Sequence, residues 1–395
     1  MKEGFMMRKI AVAGCMMVCV LLLPGCWDKS ELTDRCFVLG LAVDKADHGM
    51  VDLTMQVYKP LHSGGSEGKQ GGSISYINVK TKGNTMFDGI RDIILHTGRK
   101  GQWSHLKAII IEDQLVQIYS VGQLLDFFYR DHEARLSSSF FIAQGKAAQY
   151  LKMKPLIEKT ESQQLMQITK YSNQGNYKTT ETSLLDLFLG LRSQTGISLV
   201  PYITKVGEKG EELVANGMAV LKKGKWKGIV SAQDSRMIHM LLSQYKGGII
   251  RVPCEIQRDS GNASDNSLEV LSIHSKLKPQ IEGEAVKLQI FVKLSGALGE
   301  MRCTKLKTPE DEKKFTEAAA RTIEQSLRKT LNRMTQKKLD LIGLGDRIYR
   351  KDPALWKRWK RNWGERFADT QFDIKVKVEI KNSGTASPKP LSMDR

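Results

Sequence analysis

A long amphipathic helix followed by an alternating strand, both near the C-terminal end of this 395-residue chain, constrains the fold most. Thr308-Pro309 supplies a helix N-cap and a proline at the first helical position. Apolar residues four and finally three apart then follow one helical face: Phe315, Ala319, Ile323, Leu327, Leu331 and Met334. Residues 372–380 alternate between apolar and polar, the period of a half-buried strand. Both elements need a sheet to pack on, which predicts an α+β unit here, with a further strand at 286–294.

The N-terminal half alternates strand-like and helix-like patterns. Strands at 37–43 and 51–57 are predicted to pair as a hairpin around Asp47-His48-Gly49. Further strands are predicted at 74–79, 108–111, 139–143 and 199–206, with a hairpin at 213–231, and helices at 86–96, 124–129 and 184–191. A Gly/Ser-rich stretch at 63–73 is interpreted as a mobile loop.

These patterns predict a multidomain α+β protein with mixed sheets covered by helices. We expect a signal peptide at 1–25, an N-terminal α/β domain at 26–195, a strand-rich middle domain at 196–280, a C-terminal α+β domain with the long helix at 281–385, and a flexible tail at 386–395.

The first 26 residues have the layout of an export signal that ends in a cysteine. A basic segment precedes an uncharged run at 10–23, and Leu23-Pro24-Gly25-Cys26 follows. The run is shorter than the roughly 20 residues of a membrane span. Because the segment resembles a bacterial lipobox, cleavage is predicted between Gly25 and Cys26, with a diacylglycerol lipid on Cys26. An earlier match at Cys15, an ordinary signal peptide and an uncleaved anchor are the alternatives.

The chain is strongly basic, with 61 Lys and Arg against 43 Asp and Glu and a formal charge of +18. Cleavage before Cys26 removes three positive charges and one negative charge, which leaves +16. A basic protein held at a membrane is attracted to anionic headgroups. Export argues against nucleic acid as the partner. With 41% hydrophobic residues and one long apolar run, the composition excludes both a disordered chain and a multi-pass membrane protein.

Three cysteines follow Cys26, at positions 36, 254 and 303. Three thiols cannot all pair with one another. The favoured interpretation is that Cys36, Cys254 and Cys303 are small buried hydrophobes, and a single disulfide is the alternative.

No motif in the chain has the spacing of a metal site, a nucleophile elbow or a phosphate loop. His105 follows Ser104, but adjacent residues on a strand point to opposite faces, which argues against a Ser-His pair. Asp126 with Asp131-His132-Glu133 is interpreted as a solvated helix end, and Gly343-Leu344-Gly345-Asp346 as a turn. We therefore predict no catalytic residues, no metal and no cofactor beyond the lipid.

Three tryptophans interleaved with basic residues form the most unusual local composition. Trp356, Trp359 and Trp363 share one helical face, with Lys357, Arg358, Lys360 and Arg361 around them. Such a segment can contact a membrane or a partner protein, and we assign that role to the tryptophans, Arg358 and, as a second surface, His105. The favoured alternative is that the tryptophans are the buried stripe of an ordinary helix.

An ordered set of short motifs resembles the Ger(x)C spore germination lipoproteins and covers nearly the whole mature chain. The motifs are Cys26-Trp27-Asp28, Glu31-Leu32, Asp44-Lys45, His105-Leu106-Lys107 before Ile109-Ile110-Ile111-Glu112, Leu124-Leu125-Asp126-Phe127, Arg130-Asp131, Glu133-Ala134-Arg135, Asp346, Pro353, Leu355-Trp356, Trp363 and Phe367. Pro24 and the Gly/Ser-rich stretch depart from the family pattern.

The resemblance implies an elongated, three-domain α+β protein without known catalytic activity, the C subunit of a nutrient germinant receptor. That subunit is anchored by lipid to the outer face of the spore's inner membrane and works with two integral membrane subunits, A and B. A lipid-anchored solute-binding protein of a transporter is the alternative function, and a cell-wall hydrolase is a distant third.

Overall fold

The computed structural model describes residues 31, 34–59, 76–130, 133–208, 210, 212–254, 265–303, 306 and 308–382, together with positions 4, 8, 11–14 and 16. The predicted lipidation site at Gly25 and Cys26, the loop at 63–73 and the tail at 386–395 lie outside the described residues. None of the helices within the described ranges has the length and apolarity needed to cross a bilayer.

Within the described residues, nine strands form the first sheet. They are β1 (Arg35–Lys45), β2 (Val51–Tyr58), β3 (Tyr76–Gly83), β4 (Lys100–Gln102), β5 (Ala108–Glu112), β6 (Ser139–Ala143), β7 (Ile197–Val206), β8 (Glu212–Lys222) and β9 (Lys225–Val230). Their order is β3-β2-β1-β5-β6-β7-β8-β9, with β4 beside β1. The central strands β1, β5, β6 and β7 are parallel, and antiparallel hairpins flank them on both sides.

Helices cover both faces of this sheet. They are α1 (Met86–Arg91), α2 (Ile93–Thr97), α3 (Asp113–Ile118), α4 (Val121–Leu124), α5 (Asp126–Arg130), α6 (Glu161–Gly175) and α7 (Leu184–Arg192), with 3₁₀ helices at Asp47–Gly49 and Ala147–Lys152. Helices α1 to α5 and α7 pack on one face, and α6 with the second 3₁₀ helix packs on the other. Covering both faces explains why all five residues of β5 and all five of β6 are buried, with no solvent-facing side.

A second sheet, in the order β10-β11-β12-β13, belongs to the C-terminal part of the described chain. Its strands are β10 (Ile249–Pro253), β11 (Asp265–Glu282), β12 (Ala285–Leu298) and β13 (Gln371–Asn382). The helices are α8 (Ala232–Leu241), α9 (Pro309–Gln336), α10 (Leu344–Lys351), α11 (Pro353–Trp359) and α12 (Trp363–Ala368), with a 3₁₀ turn at Lys360–Asn362. The apolar face of α9 lies in the same core as β12 and β13, so the α+β prediction is confirmed.

Several predicted elements are confirmed. The β1–β2 hairpin turns at Asp47–Gly49, β6 has the predicted bounds, and α9 begins with the predicted Thr308 cap and Pro309. The helix predicted at 86–96 is instead two short helices that meet at Asp92. The long strand β11 and the helix α8 were not predicted.

Sheet pairing crosses both predicted domain boundaries. β7 starts directly after residue 196 and pairs with β6, so β7, β8 and β9 continue the first sheet. The boundary at 280/281 lies inside β11. The core around α9 also includes Met218 and Val220 of β8. The three-domain division stays a prediction, and the strands themselves divide into two sheets that share this core.

The favoured interpretation of the cysteines is wrong for two of the three. Cys254 and Cys303 form a disulfide with their Cα atoms 6.0 Å apart, whereas Cys36 is a buried free thiol as expected. The pairing follows from register. β10 and β12 flank β11, and Asn266 accepts a hydrogen bond from the Arg302 backbone N–H, 2.9 Å away, which holds the chain after β12 beside the end of β10. The spacing of the cysteines along the sequence does not show how β10, β11 and β12 pair, so it could not predict this disulfide.

Candidate functional site

The three tryptophans of α11 and α12 are buried. Trp356, Trp359 and Trp363 are 2%, 1% and 5% exposed, and they pack in the core that contains the apolar face of α9. Trp356 and Trp363 meet edge to face with ring centroids 5.2 Å apart. The interpretation as a buried stripe is confirmed. The prediction that these indoles form a contact surface is wrong, because they are buried in the core that also contains the apolar face of α9.

The basic residues between the tryptophans lie on the outside. Lys357, Arg358, Lys360 and Arg361 are all exposed, and we call these four residues the basic face. None of the ion pairs among the described residues uses any of the four. Their charge is therefore directed to solvent, where it can attract an acidic partner or an anionic surface. The predicted contact role of Arg358 stays a prediction.

A buried carboxylate holds this helical segment together. Asp340 follows α9 and accepts hydrogen bonds from the backbone N–H groups of Leu344 (2.8 Å) and Gly345 (2.7 Å), and from the indole Nε1 of Trp363 (3.0 Å). Burial raises the pKa of Asp340, while the three donors act in the opposite direction. One side chain thus connects the start of α10 to the start of α12.

The same segment contacts the loop between α7 and β7. Asp346 accepts hydrogen bonds from the Gln194 backbone N–H (2.8 Å) and the Thr195 hydroxyl (3.0 Å), and Trp356 Nε1 donates to the side chain of Gln194 (2.9 Å). A Cβ on Gly345 would lie 2.6 Å from Trp356, so only glycine fits. The interpretation of the Gly343–Asp346 motif as a turn is wrong, because the motif is instead the start of α10: Gly343 precedes the helix with a φ of +65°, and Leu344 to Asp346 are helical.

His105 is exposed beside the start of β1. Its ring meets the edge of Phe37, with centroids 5.2 Å apart, and Ser104 Oγ accepts from the Gln102 amide 3.2 Å away. Ser104 and His105 lie in the turn between β4 and β5 rather than on a strand, and their side chains have different partners. The contact role assigned to His105 stays a prediction.

Asp126, one of the candidate acid and base residues, has a partner within the chain. Asp126 pairs with Arg130 on the surface of α5 at 2.8 Å, whereas Asp131 and His132 lie outside the described residues. Across the described ranges, no group of three or more His, Cys, Asp or Glu side chains could hold a metal ion.

The carboxyl ends of the parallel strands, where α/β proteins often bind ligands, are filled by the chain itself. Asp44 accepts from the N–H groups of Ala147 and Ala148 at the start of a 3₁₀ helix, and burial raises its pKa. Glu112 accepts from the Lys45 N–H at 2.6 Å and from Lys146 Nζ at 3.1 Å. The sequence motif Asp44-Lys45 thus has a structural role in closing this edge of the sheet.

The carboxyl group of Glu161 differs from these in its hydrogen bonding. Glu161 opens α6 and is almost completely buried, and among the described residues its Oε2 has no hydrogen-bond partner. Burial raises the pKa of Glu161 to about 7. No sequence pattern indicated this residue.

Two family models match the chain in succession. The model described as "Spore germination protein N-terminal domain" matches residues 28–205, and the model described as "Spore germination B3/ GerAC like, C-terminal" matches residues 216–384. The junction between them falls in the β7–β8 hairpin of the first sheet.

Curated relatives match over nearly their whole length. Spore germination protein KC of Bacillus subtilis (strain 168) is 25% identical and is aligned over 96% of this chain and 97% of its own. Spore germination protein B3 of the same organism is 27% identical over 96% and 99%. The crystal structure of the GerBC protein is similar with a TM-score of 0.54 at 22% identity, covering 87% of this chain and 97% of that one, which shows a shared fold.

The Glu161 carboxyl group is expected to make stability depend on pH. Its folded-state pKa is raised above the unfolded value near 4.5, so the stabilisation is fully present below pH 4.5 and is lost as pH rises through 7. Relative to Glu161→Gln, the wild-type free energy of unfolding should fall by up to about 3 kcal/mol between pH 4.5 and 7.5. Urea denaturation across this range measures the difference. The exposed Glu181→Gln should follow the wild type, and identical profiles for wild type and Glu161→Gln would contradict the assignment.

Proposed function

The chain belongs to the Ger(x)C family of spore germination proteins, and from this we propose that it is a lipid-anchored, non-enzymatic subunit of a nutrient germinant receptor. In this role it acts with two integral membrane subunits, A and B, to start germination when nutrients such as amino acids or sugars bind. The observation that carries the proposal is the succession of both family domains over residues 28–384 of one chain.

A location outside the cytoplasm is part of the proposal. We place the protein on the outer face of the spore's inner membrane, held by a lipid on Cys26. The Cys254–Cys303 disulfide supports export, because such bonds persist in oxidising compartments and are rare in the cytosol. The signal-like residues before Cys26 support the same location.

The proposed mechanism relies on binding rather than on chemistry. The buried carboxylates Asp44, Glu112 and Asp340 accept hydrogen bonds from the chain itself, which supports a structural role for each of them. A lipid on Cys26 would keep the protein near its membrane partners and raise its effective concentration there, so that a modest interface is sufficient. The basic face is the surface that we assign to this interface.

Replacing the lipidated residue tests the tether. Cys26→Ala should move the protein from the membrane fraction to the soluble fraction of spores and reduce nutrient-induced germination, because the lipid is lost. Cys15→Ala, which removes the competing lipobox match, should behave as the wild type. A Cys26→Ala protein that stays with the membranes and supports normal germination would contradict the tether mechanism.

Charge reversal tests the basic face. Arg358→Glu with Arg361→Glu should lower co-purification with the membrane subunits about tenfold or more, because like charges then meet at the interface. The melting temperature should change little, since both side chains are exposed.

Lys313→Glu with Lys314→Glu is the matched control. These exposed residues lie near the start of α9, and at about 1.5 Å per residue they are about 35 Å from the end of the helix at Gln336. Equal loss of co-purification in both double variants would mean that overall charge, not the basic face, determines the interaction.

A further inference from the structure

The start of β1 marks the place where the predicted tether enters the fold. Arg35 is the first residue of β1 and pairs with Lys100 of β4, and Cys36 pairs with Gly101. Helix α2 ends at Thr97, and Gly98, with φ of +64°, turns the chain toward β4. The Thr97 hydroxyl donates to the Arg99 carbonyl at 3.1 Å, which keeps this turn compact. The C-terminal end of α2 therefore lies beside the start of β1.

Helix α2 presents apolar side chains to solvent at this end. Ile93 is buried and anchors the helix, whereas Ile94 is 42% exposed and Leu95 is 80% exposed. A single exposed leucine has little meaning on its own. Here two such residues are adjacent, and they lie on the five-residue helix nearest to the tether.

Cations surround these apolar residues. Arg99 and Lys100 are exposed directly after α2, and Arg91 is exposed on α1, where its guanidinium lies 4.8 Å from the centre of the Phe87 ring. Among the ion pairs of the described residues, Lys100 has only a 4.0 Å contact to Glu133, and neither Arg91 nor Arg99 appears in any pair. Apolar side chains with exposed cations around them are the pattern of a surface that binds an anionic bilayer.

The length of the tether limits where this surface can be. Eight residues separate Cys26 from Arg35, and the nine Cα-to-Cα steps between these two residues span about 30 Å when fully extended. If Cys26 carries a lipid, the start of β1 and the end of α2 must therefore stay close to the membrane.

We propose that Ile94, Leu95, Arg99 and Lys100 rest on the anionic surface of the bilayer that holds Cys26. This contact rests on the proposed function, since it assumes a lipid at Cys26. A lipid alone limits the distance from the membrane, whereas the second contact also determines which end of the first sheet points toward it.

Vesicle binding of an unacylated protein tests the contact separately from the tether. The chain from residue 26 onward contains every strand and helix described above, and Cys26→Ser prevents lipidation. This protein should bind phosphatidylglycerol vesicles more strongly than phosphatidylcholine vesicles. Adding Leu95→Glu should lower the partition coefficient about tenfold or more, because it removes apolar contact and adds repulsion.

Leu156→Glu is the matched control. Leu156 is 74% exposed and precedes α6, on the opposite face of the sheet from α2, so the same substitution there should change the partition coefficient less than about twofold. Arg99→Gln with Lys100→Gln should weaken binding to the anionic vesicles and leave binding to neutral vesicles unchanged.

Three results would overturn the proposal. They are equal vesicle binding by the Leu95→Glu and Leu156→Glu proteins, equal binding to the two lipids, and a Leu95→Glu variant that binds vesicles normally but abolishes germination. The last result would make α2 a contact for a protein subunit. Because the vesicle experiment contains no lipidated cysteine, it is independent of the outcome for Cys26→Ala in spores.

Discussion

The buried carboxylate of Asp340 is the interaction on which the arrangement of the two sheets depends. Its bonds to the start of α10 and to the Trp363 indole place the helical segment, and this segment then brings Asp346 and Trp356 against Gln194 in the loop before β7. Without that acceptor, two backbone N–H groups and one indole N–H would be buried without partners, each at a cost of about 1–3 kcal/mol. The two family domains are therefore held as one structural unit by a few directed bonds and by a common core.

Much of the fold was predictable because its elements have strong periodicity. The apolar face of α9, the alternation in β13 and the first hairpin are each visible as a local sequence pattern, and the structure confirms all three. The family resemblance was predictable from short motifs, and two of these, Asp44-Lys45 and Asp346, now have structural explanations. The tryptophan spacing correctly predicted a helical stripe, but spacing alone does not distinguish a buried stripe from an exposed one.

The remaining features depend on contacts between distant residues. The pairing of Cys254 with Cys303 requires the register of β10, β11 and β12. The mostly polar helix α6 packs on the sheet through Leu165 and Ile168, a short apolar contact that the sequence pattern did not indicate. Glu161 could not have been identified, because its burial is a tertiary property. Asp44, Glu112 and Asp340 are bonded internally, and the two surfaces that we propose for binding are the end near α2 on the first sheet and the basic face beside the second.

The measurement that tests the central claim most directly is the germination of spores lacking this chain, scored against a panel of single nutrients while vegetative growth and solute uptake are followed. A receptor subunit predicts that the response to one set of nutrients is lost and that growth and uptake remain intact. Normal germination together with defective uptake would contradict the account and favour a lipid-anchored solute-binding protein.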